Sequence, residues 1–258
     1  MTALGDDFIA PVILSLKVSV LASVIVFLMG TGAAWLLAQR RFFGKTLLET
    51  GFMLPLVLPP TTVGFILLVL LGRRSWIGRA IEQVFGGPIV FSWWACVIAA
   101  IVVAFPLVYQ AAKTGFLSVE KEYQEAARVA GATEFQVLLY ITLPAAWRSL
   151  SSGFLLGFAR GLGEFGATLM LAGNIPGKTQ TIPTAIYLAV DAGKMPLAWT
   201  LTAATVGISF LMLHMIGRVQ LEERQDKPSR YKKTAHAKDL TITAPAKKQS
   251  YTVTHSPE

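Results

Sequence analysis

Cysteine is almost missing from this chain: Cys96 is the only one in 258 residues, which excludes a disulfide framework and a thiol-based metal site. Histidine is scarce as well. His214 and His236 stand alone and His255 lies close to the last residue; all three read as helix packing or tail, and no metal ligand set is assigned. Charge is the third deficit, since Asp, Glu, Lys and Arg supply only 15% of the residues, too few for an ordinary soluble domain. The first residues carry Asp6 and Asp7 and no basic stretch, so they lack the pattern of a cleaved signal peptide. The first apolar run is therefore expected to be retained.

What is present is apolar sequence: 53% of residues are hydrophobic and the mean hydropathy is +0.56. Uncharged runs occupy 18–39, 50–72, 83–112 and 195–217, each long enough for a helix of about 20 residues to cross the hydrocarbon of a bilayer. A fifth segment, 150–172, is equally apolar but carries Arg160 and Glu164. The chain thus reads as an all-α integral membrane protein with five spans near 11–38, 48–71, 90–111, 150–172 and 197–217. A short segment, 1–10, precedes the spans and a basic tail, 218–258, follows them.

Lys and Arg favour cytoplasmic loops. An outer N-terminus places Arg40, Arg41, Lys45, Lys113, Lys121, Arg128, Arg148 and the tail from Arg218 inside. Arg73, Arg74 and Arg79, in the loop 72–89, oppose this orientation, and Lys178 and Lys194 also fall outside. Lys17 lies near the outer end of the first span, where its amine can reach the headgroups. Trp76, Trp93, Trp94 and Trp199 fall near the expected interfaces and read as aromatic anchors. The tail from about Glu222, rich in Lys, Thr, Ser, Ala and Pro, is expected to be disordered, solvated or weakly drawn to anionic lipid. Nucleic acid is excluded as a partner, because the cations follow membrane topology and are interleaved with no aromatic platform.

Between the third and fourth spans lies polar, helix-forming sequence. Ser118 is placed to cap a helix with Glu120 and Glu122 in its first turn, and Gly131 to stop it. Thr133 with Gln136 makes a capping box that opens a second helix, which Pro144 is expected to close.

Other features of the spans carry their own physics. Gly153, Gly157 and Gly161 recur on one helix face, the small-xxx-small pattern of close helix contact. Arg160 and Glu164 stand four residues apart, so their side chains can pair and lower the cost of charge at membrane depth. That pair either orients its helix or lines a translocation path. Pro55, Pro59 and Pro60 remove backbone donors from the second span. The freed carbonyls, with Thr61 and Thr62, are tolerable only against protein or a wet cavity. A packing kink and a pathway wall both satisfy that condition.

The segment Ala172–Thr179, AGNIPGKT, nearly matches a phosphate-binding loop. It follows an apolar helix rather than a strand, Pro183 comes soon after, and no apolar strand ending in Asp offers a second nucleotide motif. Nucleotide binding is rejected, and residues 172–179 read instead as an outer loop in which Lys178 favours an anion.

Glu125, Ala126, Ala127 and Gly131, followed after nine residues by Ile141, Leu143 and Pro144, resemble the EAA loop of binding-protein-dependent ABC importer permeases. Beyond it, LSLKVS at 14–19, PLVLPPTTVGF at 55–65, FSWWA at 91–95 and ARGLGEFGATLMLAGNIPGKTQTIPTAIY at 159–187 resemble molybdate permeases, with sulfate and tungstate permeases as close relatives. The resemblance implies a type I importer fold over 11–217, with 118–144 as the coupling loop that docks into an ATPase cleft. It also implies a homodimer, two ATPase subunits that hold ATP and Mg, an extracytoplasmic molybdate-binding protein and the bacterial inner membrane. This chain itself would be neither an enzyme nor a cofactor carrier. The competing reading, an ATP-independent carrier or channel, fits less well, because carriers usually have more spans and internal repeats.

Overall fold

The computed structural model describes residues 2–38, 40, 42–215 and 217–218. The readings made of Arg41, His236, His255 and the tail beyond Arg218 lie outside them. Among the described residues every regular element is helical. In chain order they are α1 (Thr2–Ala38), α2 (Lys45–Val57), α3 (Pro60–Leu71), α4 (Trp76–Phe85), α5 (Trp93–Leu117), α6 (Lys121–Val129) and α7 (Glu134–Val137). A π turn (Leu138–Thr142) then leads into α8 (Leu143–Leu162), followed by α9 (Gly166–Ala172), α10 (Ile182–Asp191) and α11 (Met195–Met215).

Three helices are long and apolar enough to cross a membrane alone: residues 7–38 of α1, then α5 and α11. Two further apolar helix pairs are each bent at a short break, and count as broken spans where each pair crosses as one. Leu58 and Pro59 are extended, with ψ of 144° and 135°, and α2 and α3 meet there at 115°. Consecutive prolines explain this: neither supplies an N–H, and each pushes the preceding residue out of helical geometry. The second break lies at Gly163–Phe165, between α8 and α9, which are bent by 59°.

α5 is the central helix, and glycines set its spacing to its neighbours. A Cβ added at Gly153 would lie 2.8 Å from the Ala111 Cβ, and one at Gly157 would lie 2.6 Å from Val108 Cγ2. Gly115 faces Ser149 at 2.7 Å, and Gly30 of α1 faces Val108 at 3.0 Å. The repeat read at 153, 157 and 161 therefore seats α8 on α5 within one chain. Lipid tails are as apolar as leucine, so such contacts hold through packing rather than through exclusion of water. Around this seam Val18, Cys96, Val103, Ala167 and Leu171 form one buried cluster, and Ala34, Tyr109, Phe116 and Leu150 another. A further tie was not foreseen. Glu49 of α2 accepts from the Tyr109 hydroxyl at 2.9 Å and pairs with Lys113 at 2.9 Å, fastening α2 to α5.

Several expectations are corrected. Ser118 does not cap α6: it ends α5, with its hydroxyl donating to the Gly115 carbonyl, and Glu120 holds the N-cap position of α6. Pro144 does not close the second helix. The chain widens into the π turn, Leu143 N–H reaches the Leu138 carbonyl, and the helix continues to Leu162. A wider turn accommodates a residue that lacks an N–H and would otherwise press on the carbonyl four residues back. α1 begins at Thr2, ahead of the start expected at 11. The loops expected at 72–89 and after 172 contain α4 and α10.

Gly64 of α3 is as tight as the α5 seam, since an added Cβ would meet Met170 Cβ at 2.7 Å and the Ala167 backbone at 2.8–2.9 Å; a Cβ at Gly51 of α2 meets nothing within 4 Å. Gly64→Ala should therefore lower stability by about 1–3 kcal/mol, while Gly51→Ala should raise it by about 0.5–1 kcal/mol. Thermal unfolding of both variants in detergent checks the contrast.

Candidate functional site

Two groups of residues stand out, one at each end of a continuous rod formed by α7, the π turn and α8, residues 134–162. The first is the elbow between α6 and α7. Gly131 turns it with φ of 91°, a left-handed value that side chains with a Cβ rarely adopt. Gly131 N–H bonds the Arg128 carbonyl and Ala132 N–H the Ala127 carbonyl, both at 3.0 Å, closing α6. The capping box opens α7 as its sequence implies: Gln136 N–H donates to Thr133 Oγ1 at 3.3 Å and Thr133 N–H donates to Gln136 Oε1 at 2.8 Å.

Glu125, Ala126 and Gly131 are exposed and Ala127 is half-buried; Ile141 and Leu143 are half-buried, and Pro144 is exposed. The elbow also presents apolar side chains that motif reading passed over. Val129 is 91% exposed, and Tyr123, Phe135 and Tyr140 are each more than half exposed. Their periodicity is obscured because the two helices are short. Exposed apolar side chains beside a carboxylate are suited to burial against a protein partner.

An ion pair spans the elbow. Arg128 Nε donates to Glu134 Oε1 at 2.7 Å and Nη2 to Oε2 at 3.1 Å. The guanidinium holds the Glu134 carboxyl below its ordinary value, chiefly through that hydrogen bond, and Glu134 raises Arg128 in the same way. Because the folded-state value of Glu134 is depressed, its contribution is present above the ordinary carboxylate range and is lost as pH falls through the depressed value.

The second group sits where the two broken spans meet. A Cβ on Gly166 would lie 3.0 Å from Pro60 Cβ and 3.2 Å from Thr61 N, so the start of α9 packs directly on the start of α3. Pro59, Pro60, Thr61 and Thr62 are exposed along that edge. Just before α9, Glu164 is buried to 2% exposure. Its Oε2 accepts from Arg160 Nη1 at 2.7 Å and its Oε1 from Ala167 N–H at 2.7 Å. The expected pair thus forms, although Glu164 lies beyond the end of α8, and one carboxylate both neutralises Arg160 and caps the next half-helix. Arg160 remains partly exposed. The arrangement places proline-freed backbone, two hydroxyls and a cation along one junction, groups that suit a polar path.

The segment Ala172–Thr179 is not a phosphate cradle. The amides of Lys178, Thr179 and Gln180 all point at the Ile175 carbonyl at 2.9–3.2 Å, and Thr179 Oγ1 accepts from Ile175 N–H. The amides of Ile175, Lys178 and Thr179 are thus spent within the loop. No group of three or more metal-ligating side chains occurs among the described residues.

Two measurements test this geometry. Glu164→Ala removes both the ion pair and the cap and should cost about 3 kcal/mol, whereas Glu164→Gln keeps an acceptor for Ala167 and should cost less; thermal unfolding ranks them. An NMR titration of the Glu134 carboxyl should give a midpoint below the ordinary range, returning upward in Arg128→Gln.

Residues 27–221 match the family model described as the binding-protein-dependent transport system inner membrane component. The chain is 56% identical over 212 residues to a putative molybdenum transport system permease protein, YvgM, of Bacillus subtilis, covering 82% of this chain and 93% of that one. It is 42% identical over 216 residues to the molybdenum transport system permease protein ModB of Escherichia coli, covering 82% and 94%. Among solved structures, a bacterial ABC transporter involved in import of the acidic polysaccharide alginate superposes with a TM-score of 0.63 at 17% identity, covering 85% of this chain and 79% of that chain.

Proposed function

Because the chain belongs to the binding-protein-dependent transport system inner membrane component family, we propose that it is the membrane-spanning permease of an ATP-driven molybdate importer. The substrate rests on the two relatives named for molybdenum transport. The mechanism rests on one observation: the rod 134–162 joins the exposed elbow at one end to the junction of the broken spans at the other.

In this reading the transmembrane domain covers 11–217, with 118–144 as its coupling loop. The N-terminus lies outside and the C-terminus in the cytoplasm of a bacterial cell, with the chain in the inner membrane. Two copies pair, and each receives an ATPase subunit at Glu125, Ala126, Ala127 and Gly131, where the small alanines permit close approach. Ile141, Leu143 and Pro144 shape the entry into the rod. ATP and Mg belong to the ATPases; this chain hydrolyses nothing. An extracytoplasmic binding protein delivers the oxyanion from the other side.

When the ATPases close, α6 moves with them, α8 carries the displacement along its glycine seam, and the α8–α9 junction shifts against Pro60 and Thr61. The path formed by Pro59, Pro60, Thr61, Thr62, Arg160 and Glu164 thereby opens to alternate sides. ATP and the loaded binding protein drive the change only in so far as they bind the two states with different affinity.

Radiolabelled molybdate uptake into vesicles holding this chain, its ATPase and its binding protein provides the test. Uptake should require ATP, resist excess sulfate and yield to tungstate, an anion of the same charge and nearly the same size. ATP-independent uptake by this chain alone would point to a carrier instead.

A further inference from the structure

We propose that Arg128 and Glu134 are positioning residues that lock the angle between α6 and α7, so that movement of α6 reaches α8 as rotation of a single body. The inference rests on the coupling assignment above.

The turn itself leaves room for such a lock. At Gly131 an added Cβ would meet nothing within 4 Å, so no neighbouring group wedges the turn, and glycine resists rotation less than any other residue. Of the backbone bonds around it, Ala130 N–H to the Ala126 carbonyl closes α6, Ala132 N–H to the Ala127 carbonyl crosses the glycine but reaches only the residue after it, and Val137 N–H to the Thr133 carbonyl belongs to α7 alone, so the direction of α7 is left to side chains. Val129, on the α6 side of the turn, is almost wholly exposed and adds little packing inside it.

Arg128 and Glu134 bridge the gap. Arg128 lies in the last turn of α6 and Glu134 is the first residue of α7, so the two contacts at 2.7 and 3.1 Å run from one helix to the other across the glycine. The pair is fork to fork: two parallel bonds between planar groups fix orientation as well as distance. Lysine offers a point charge and would fix only distance. The pair is exposed, with side-chain exposures of 35% and 60%, and exposed pairs add little to global stability. Its effect is on geometry, so it should be visible in coupling and not in melting temperature.

The test uses the assembled transporter in proteoliposomes, with molybdate as the transported probe, and compares Arg128→Glu, Glu134→Arg, the double exchange and Arg128→Lys. Each single reversal should retain the copurifying ATPase, its hydrolysis and the melting temperature, while molybdate moved per ATP falls about fivefold. The double exchange should recover most of that ratio, and Arg128→Lys only part of it. Unchanged ratios in the single reversals would overturn the proposal, as would a loss that the double exchange fails to recover, which would mean that each residue touches the ATPase on its own account. Failure of the coupling assignment itself reads out separately. In that case Gly131→Asp, strained at φ of 91°, would leave both copurification and transport at wild-type levels.

Discussion

The approach of α8 to α5 is the contact on which the rest of the molecule depends. Gly115, Gly153 and Gly157 bring the two backbones so close that a single added Cβ would overlap Ser149, Ala111 or Val108. α1 reaches the same helix through Gly30. Helices in lipid gain nothing from hiding apolar surface from water, so closeness of fit is what holds them. The seam therefore places α8 on α5.

At both breaks the protein itself satisfies backbone donors that would be costly to leave unpaired at membrane depth. At Gly163–Phe165, Gly163 N–H reaches the Ala159 carbonyl, Glu164 N–H reaches the Gly161 carbonyl, and the Glu164 side chain serves Ala167. At Leu58–Pro60, Leu58 N–H reaches the Leu54 carbonyl and the two prolines have no donor to leave unpaired. The breaks meet where Gly166 packs on Pro60. Irregular backbone is thus concentrated at one junction, and that junction lies at the end of the helix that begins at the elbow.

Much of this was legible in the sequence because it depends on local chemistry. The Thr133–Gln136 box, the helix stop at Gly131, the glycine repeat of α8 and the Arg160–Glu164 spacing each follow from a few neighbouring residues, and each forms as read. What failed was either a competing local option or a distant partner. Ser118 has a good capping side chain, but α5 continues far enough to claim it. α4 and α10 are ten residues long and hide inside loops of mixed polarity. The tie from Glu49 to Tyr109 and Lys113 joins two helices whose pairing only the tertiary fold supplies. Pro144 gave a sound stop signal, and the π turn overrode it.

That π turn also has an evolutionary side. It holds one residue more than an α-turn would, and each residue advances a helix by about 100°. The direction in which the elbow faces, relative to the face that α8 lays on α5, is therefore set by the number of residues between Leu138 and Leu143 as much as by their identity. A loss or gain of a single residue would swing the elbow around the rod while leaving both of its ends well folded, so this segment should tolerate no change of length.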